Sequence, residues 1–204
     1  MYKKKLIIFD LDGVIIDSKA NMKVSWDLVN KKFNLKIPFS KYFKNIGKPF
    51  RIILLNLGIK NELNEIEKEF SKNSIKYFKK IKLYKDIRNV LYFLKNKKIK
   101  TAIVTSKDRK RTIKLLNFFK IKVNYTESPS KKLRGKPYPD HIIKVIKKLK
   151  IHKKYCVYIG DSIFDKIAAE KSKIDFVLAE YGYKIGIRNY KNVIKQPSEI
   201  CKLI

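Results

Sequence analysis

Four short runs, at 6–9, 101–105, 156–159 and 176–179, are rich in Ile, Val, Phe or Tyr and apolar on both faces. A strand with no polar face must be covered above and below, which is the condition of a central strand in a parallel sheet. A weaker run falls at Val123-Asn124-Tyr125. Between the runs the apolar residues recur at helical spacing: Ile87, Val90, Leu91 and Leu94; Ile113, Leu116 and Phe119; Ile142, Ile143, Ile146 and Leu149. Strand and helix in alternation predict an α/β fold, a doubly wound parallel sheet with right-handed crossovers.

One region departs from this rhythm. Residues 18–81 hold helix signals and no convincing strand. Met22, Trp26, Val29 and Phe33 form one apolar face, and Leu63, Ile66, Phe70 and Tyr77 another. Pro49 is placed as a first-turn proline before a helix at 52–57. The prediction is a small all-helical domain inserted after the first strand. It divides the chain into a core of residues 1–17 and 83–204 and an insert of 18–82.

The chain carries 50 Lys and Arg against 18 Asp and Glu, a net charge of +32. Such a surface attracts polyanions. The lysines are nonetheless spread in pairs along the whole length, on the polar faces of predicted helices and in the turns after them, as a drift in composition would leave them. A specific nucleic-acid partner is therefore not expected. The longest apolar runs are too short to span a bilayer, so no membrane association is expected. The opening Met-Tyr-Lys-Lys-Lys and apolar stretch has a superficial likeness to a signal peptide, but Asp10, Asp12 and Asp17 interrupt it. Two cysteines, Cys156 and Cys201, fit a reducing, cytoplasmic setting.

The first run ends in Asp10-Leu11-Asp12-Gly13-Val14. Side chains two apart on an extended segment point the same way, so both carboxylates can face one site. Gly13 permits a sharp turn past them. Alone, this pattern also suits a strand-end turn with solvated acids. Three further segments narrow the reading. The second run ends in Thr105-Ser106-Lys107. Gly135-Lys136-Pro137-Tyr138-Pro139-Asp140 places a lysine in a rigid turn before a helix. The third run ends in Gly160-Asp161-Ser162-Ile163-Phe164-Asp165. Open α/β sheets bind ligands outside the carboxyl ends of their strands, where these segments fall.

In order and spacing the four segments resemble the motifs of the haloacid dehalogenase superfamily, over nearly the whole chain. The branch with a helical cap after the first motif, which includes phosphoglycolate phosphatases and β-phosphoglucomutases, is the most similar. The resemblance implies a phosphatase that hydrolyses a small phosphorylated metabolite through an aspartyl-phosphate. Asp10 would be the nucleophile and Asp12 the acid and base. Thr105, Ser106 and Lys136 would hold the phosphoryl oxygens. Mg²⁺ would be held by Asp10, the backbone carbonyl of Asp12, and Asp161, with Asp165 either a ligand through water or a partner of Lys136. The insert would be a lid, with Lys48 or Arg51 gripping a second anionic group. The usual Pro-Gly before the helix at Ile87 is here Tyr84-Lys85-Asp86, which weakens any transfer of substrate identity. A sugar-phosphate mutase would use the same residues and stays open, as does a basic nucleic-acid-associated protein on this fold. Monomer and dimer are equally compatible. His141 and His152 are expected at the surface.

Overall fold

The structure is a computed structural model, and it describes residues 3–130 and 132–204. Six strands form one fully parallel sheet: β1 (Leu6–Phe9), β4 (Lys100–Val104), β5 (Tyr125–Glu127), β6 (Cys156–Gly160), β7 (Asp175–Ala179) and β8 (Val193–Ile194). Their spatial order is β5-β4-β1-β6-β7-β8. The chain leaves β1 toward β4 and β5, then returns across it to β6. That reversal makes the carboxyl end of β1 the switch point, where an open α/β sheet has its crevice.

All four residues of β1 are buried, as a strand with no polar face requires. Ile7 and Phe9 point into one apolar layer with residues of helices α5 (Ile87–Asn96) and α6 (Arg109–Phe118). Leu6 and Ile8 point into the other, with α7 (Asp140–Leu149) and α8 (Ile163–Lys171). The period-two alternation of strand side chains divides the layers. On α6 the inward stripe includes Thr112, Leu115 and Leu116, continued by Phe119 at its C-cap, and Ile113 of the expected stripe is exposed. The weak fifth run pairs at 125–127, two residues later than expected, because Asn124 turns its side chain back to accept from the Thr101 amide at 2.8 Å.

Between β1 and the rest of the sheet lie four helices: α1 (Lys19–Lys32), α2 (Phe39–Phe43), α3 (Phe50–Asn56) and α4 (Leu63–Lys76). They form a cap with its own core, including Met22, Trp26, Val29, Tyr42, Ile53, Leu54, Ile66 and Phe70. Trp26 stacks on Tyr42 at 4.6 Å between ring centroids, and its indole N–H donates to the Ile37 carbonyl. That bond lets a large ring be buried with its polar atom satisfied. Asn21 ties α1 to α4 by donating to the carbonyls of Ser74 and Tyr77. The chain passes between core and cap through a two-stranded antiparallel ribbon, β2 (Ile16–Asp17) with β3 (Lys82–Leu83). No helix among the described residues is long and apolar enough to cross a membrane.

Candidate active site

The carboxyl ends of β1, β4 and β6 and the turn before α7 converge beneath the cap. A cavity of about 60 Å³ lies there, and its walls include Asp10, Asp12, Thr105, Ser106, Lys136 and Asp161 from the core with Lys48 from the cap. Asp10 follows β1 directly, and its amide donates to the Ile159 carbonyl of the neighbouring strand. The chain then turns tightly, with the Gly13 amide donating to the Ile16 carbonyl. Gly13 has φ +87°, and a Cβ there would lie 2.0 Å from Asp161 Oδ2. The glycine gives the backbone a conformation that other residues resist and lets it pass against a buried carboxylate.

Three carboxylates meet at this point. Asp10, Asp161 and Asp165 are all buried, and one oxygen from each lies within 4.8 Å of the others. Lys136 stands among them, its Nζ 2.8 Å from Asp10 Oδ1 and 2.7 Å from Asp165 Oδ1. Asp165 is fully engaged. Its Oδ1 also faces the Tyr158 hydroxyl at 3.1 Å, while its Oδ2 accepts from the Ser162 amide and hydroxyl in a capping box that starts α8. Asp161 Oδ2 accepts from the Tyr183 amide at 2.7 Å.

Burial dominates the electrostatics. It pushes the Asp10 carboxyl up to about 7, with Lys136 opposing and Asp165 reinforcing the rise. Burial, then Asp165 and Asp10, hold the Asp161 carboxyl well above the usual carboxylate range. Lys136 is disfavoured as a cation by burial, but Asp10 and Asp165 outweigh that and raise it above the ordinary lysine value. Three acids with one ammonium leave two negative charges uncompensated when all are ionised. A buried oxygen cluster in that state fits a divalent cation, and the hard oxygen donors suit Mg²⁺.

The other expected residues fall as follows. Asp12 is half-buried, with Oδ1 accepting from the Ser18 hydroxyl and 3.1 Å from Lys107 Nζ. Thr105 is buried, and its hydroxyl accepts from the Lys107 amide at 3.1 Å. Ser106 donates to the Gly47 carbonyl of the cap at 2.6 Å. Lys48 has its Nζ 3.2 Å from Asn45 Oδ1 and 4.8 Å from the centre of the Phe164 ring. Arg51 is absent from the cavity. It is exposed on the outer side of α3, bound to Glu67 and Asn64, so it faces solvent while Phe50 and Ile53 face the site. Likewise His141 is buried, not superficial: it lies on the inner side of α7 beside Ile142, with Nδ1 3.1 Å from Glu127 Oε1.

Two charged wall residues had no expected role. Lys107 is buried against Asp12, and Arg111 is buried in the first turn of α6. Three cations in succession, Arg109-Lys110-Arg111, at a helix start run against the helix dipole, and that conflict is the signal the sequence offered. Gly135, before Lys136, admits the ring of Pro49, and a Cβ there would lie 2.5 Å from Pro49 Cγ. The lysine turn and the cap are thus in direct contact.

Residues 7–179 match the family described as haloacid dehalogenase-like hydrolase. The chain belongs to that family. It is 30% identical over 183 residues to a protein of Caldanaerobacter subterraneus named "Putative pyrophosphatase PpaX", covering 86% of this chain and 81% of that one. It is 26% identical over 208 residues to a phosphoglycolate phosphatase of Aquifex aeolicus, covering 98% and 96%. A crystal structure of a "putative phosphoglycolate phosphatase" from Lactobacillus plantarum superposes with a TM-score of 0.89 at 20% identity, with complete coverage of both chains. The likeness read from the four motifs is therefore borne out, and the protein is an enzyme of the haloacid dehalogenase-like hydrolase family.

Proposed function

We propose that this hydrolase is a Mg²⁺-dependent phosphatase acting on a small phosphorylated metabolite through an aspartyl-phosphate on Asp10. The observation that carries the reading is the buried group of Asp10, Asp161 and Asp165 around Lys136 beneath the cap. The relatives named as phosphatases support it.

Asp10 and Asp161 would hold the ion, with Asp165 one step removed, since both of its oxygens already accept hydrogen bonds. Bound Mg²⁺ would supply charge against the repulsion between an anionic nucleophile and an anionic phosphate. Lys136 is positioned by Asp165 and held protonated, so it can bind a phosphoryl oxygen and favour the ionised form of Asp10. Asp10 attacks phosphorus, the leaving oxygen departs with a proton from Asp12, and the phosphoryl group stays on Asp10. Asp12 then takes a proton from the water that releases phosphate. Thr105, at the end of β4, lines the cavity and would help to seat the phosphoryl group. The cap limits access of bulk water. The two free thiols, Cys156 and Cys201, suit a reducing cytoplasm.

The test is a phosphate-release screen over sugar phosphates, phosphoglycolate, pyrophosphate and nucleotides, with Mg²⁺ and with chelator. Release from at least one small ester, lost on chelation and restored by Mg²⁺, is expected. No release from any, with metal present, would reject the reading.

A further inference from the structure

The roles above leave one cavity wall unused. Arg111 lines the cavity that also holds Asp10 and Lys136, and it is only 8% exposed. Its anchoring is one-sided. Asp108 accepts from its backbone amide at 3.0 Å and from its Nε, while the guanidinium lies 5.3 Å from the centre of the Phe70 ring on α4. These contacts fix the plane of the group. Its two terminal nitrogens have no hydrogen-bond partner among the described residues. Asp108 does not line the cavity, and its side chain is 44% exposed, so solvent screens it. The other core cations there face acids, Lys136 with Asp10 and Lys107 with Asp12.

The open fork reaches the cavity, where water can meet it until the oxygens of a bound anion take its place. Its geometry matches two oxygens of one carboxylate or phosphate. Building on the phosphatase reading, we propose that Arg111 is a specificity residue that binds a second anionic group of the substrate, away from the phosphoryl group held at Asp10 and Lys136. Arg111 and the Asp10–Lys136 pair line one and the same cavity, so both anionic groups belong to a single small molecule. The shared chemistry is a planar or tetrahedral oxyanion, and the two sources are a carboxylate and a second phosphate.

The test measures kcat and KM for three substrates: phosphoglycolate, pyrophosphate, and ethyl phosphate, which has no second anion. The proteins are wild type, Arg111→Met, Arg111→Lys and, as a control outside the cavity, Arg51→Met. Arg111→Met should lower the ratio of kcat/KM for a two-anion substrate over ethyl phosphate by roughly 10- to 100-fold, chiefly through KM. Arg111→Lys should recover part of that ratio, and Arg51→Met should not change it. Which of the two anionic substrates loses more identifies the source. If Arg111→Met melts below the assay temperature, Arg111→Lys serves instead, because it keeps the charge and loses the fork; a several-fold fall is then expected. A ratio unchanged within twofold in both Arg111 variants overturns the proposal. So does a wild-type enzyme that hydrolyses ethyl phosphate as well as the other two, and in that case the phosphatase reading stands. Hydrolysis of none of the three by an enzyme that releases phosphate from another ester of the wider screen also overturns the proposal and leaves the phosphatase reading standing; no release from any ester with Mg²⁺ present removes both.

Discussion

Lys136 Nζ stands 2.8 Å from Oδ1 of Asp10, the carboxylate at the end of the central strand. It is the only ammonium set against three buried acids there among the described residues. The contact is therefore structural before it is chemical. Removing a charge partner from a buried cluster costs far more than removing a surface ion pair. Lys136→Met should destabilise the metal-free protein by about 3–5 kcal/mol near pH 8, read from urea unfolding. The loss should shrink near pH 5, where the unpaired carboxyls can take up protons.

The wild-type protein should show a related pH dependence. Asp10 goes from an ordinary value of 3.8 to about 7 on folding, chiefly through burial. Over that window the folded chain holds more protons than the unfolded one, so the Asp10 contribution to stability falls as pH rises. Stability from this group is fullest below 3.8 and has been lost above about 7. A bound cation offsets the buried charge. The rise in Tm on adding Mg²⁺ should be larger near pH 8 than near pH 5, and equal rises would count against the carboxylate cluster as the binding site.

Gly13 tests the backbone side of the same cluster. A Cβ at this position would lie 2.0 Å from Asp161 Oδ2, and φ is +87°. Gly13→Ala should cost about 1–3 kcal/mol through strain and push the Asp161 carboxylate aside. Magnesium affinity, measured by calorimetry, should fall at least about tenfold. A variant that binds the ion as wild type does would show that Asp161 is not a ligand.

Much of the fold was legible because burial on both faces leaves a plain pattern. Leu6-Ile7-Ile8-Phe9 and the runs at 101–105 and 156–159 could be read as central strands, and their terminal acids and hydroxyl do meet at one cavity. The ribbon of Ile16-Asp17 with Lys82-Leu83 escaped notice, as did β8, since two residues carry no periodicity. The fifth strand was displaced because its apolar character is weak and a side chain, Asn124, sets where pairing starts. Arg51 and His141 were misplaced for a common reason. Which face of a helix a polar residue occupies depends on its partners, here Glu67 on α4 and Glu127 on β5, far away in sequence. Arg111 was hidden among 50 basic residues, and only its position at a helix start set it apart.

Ser106 joins core and cap through the Gly47 carbonyl at 2.6 Å. A neutral hydrogen bond of this kind contributes about 0.5–1.5 kcal/mol. Ser106→Ala should therefore speed hydrogen exchange of the Ile46 and Ile53 amides, which donate to the Phe43 and Pro49 carbonyls on either side of this loop, by about 2- to 10-fold, leaving the sheet amides protected. Unchanged exchange at Ile46 and Ile53 would mean that Pro49 against Gly135 holds the loop alone.

The central claim is that Asp10 carries the phosphoryl group between two chemical steps. Its most direct measurement is rapid acid quenching during turnover of an active substrate, followed by mass mapping of the peptide that holds Asp10. The account predicts a phosphoryl adduct on Asp10, sensitive to hydroxylamine, and neither adduct nor turnover in Asp10→Asn. An Asp10→Asn protein that releases phosphate at the wild-type rate, or an adduct mapped to another residue, would contradict it.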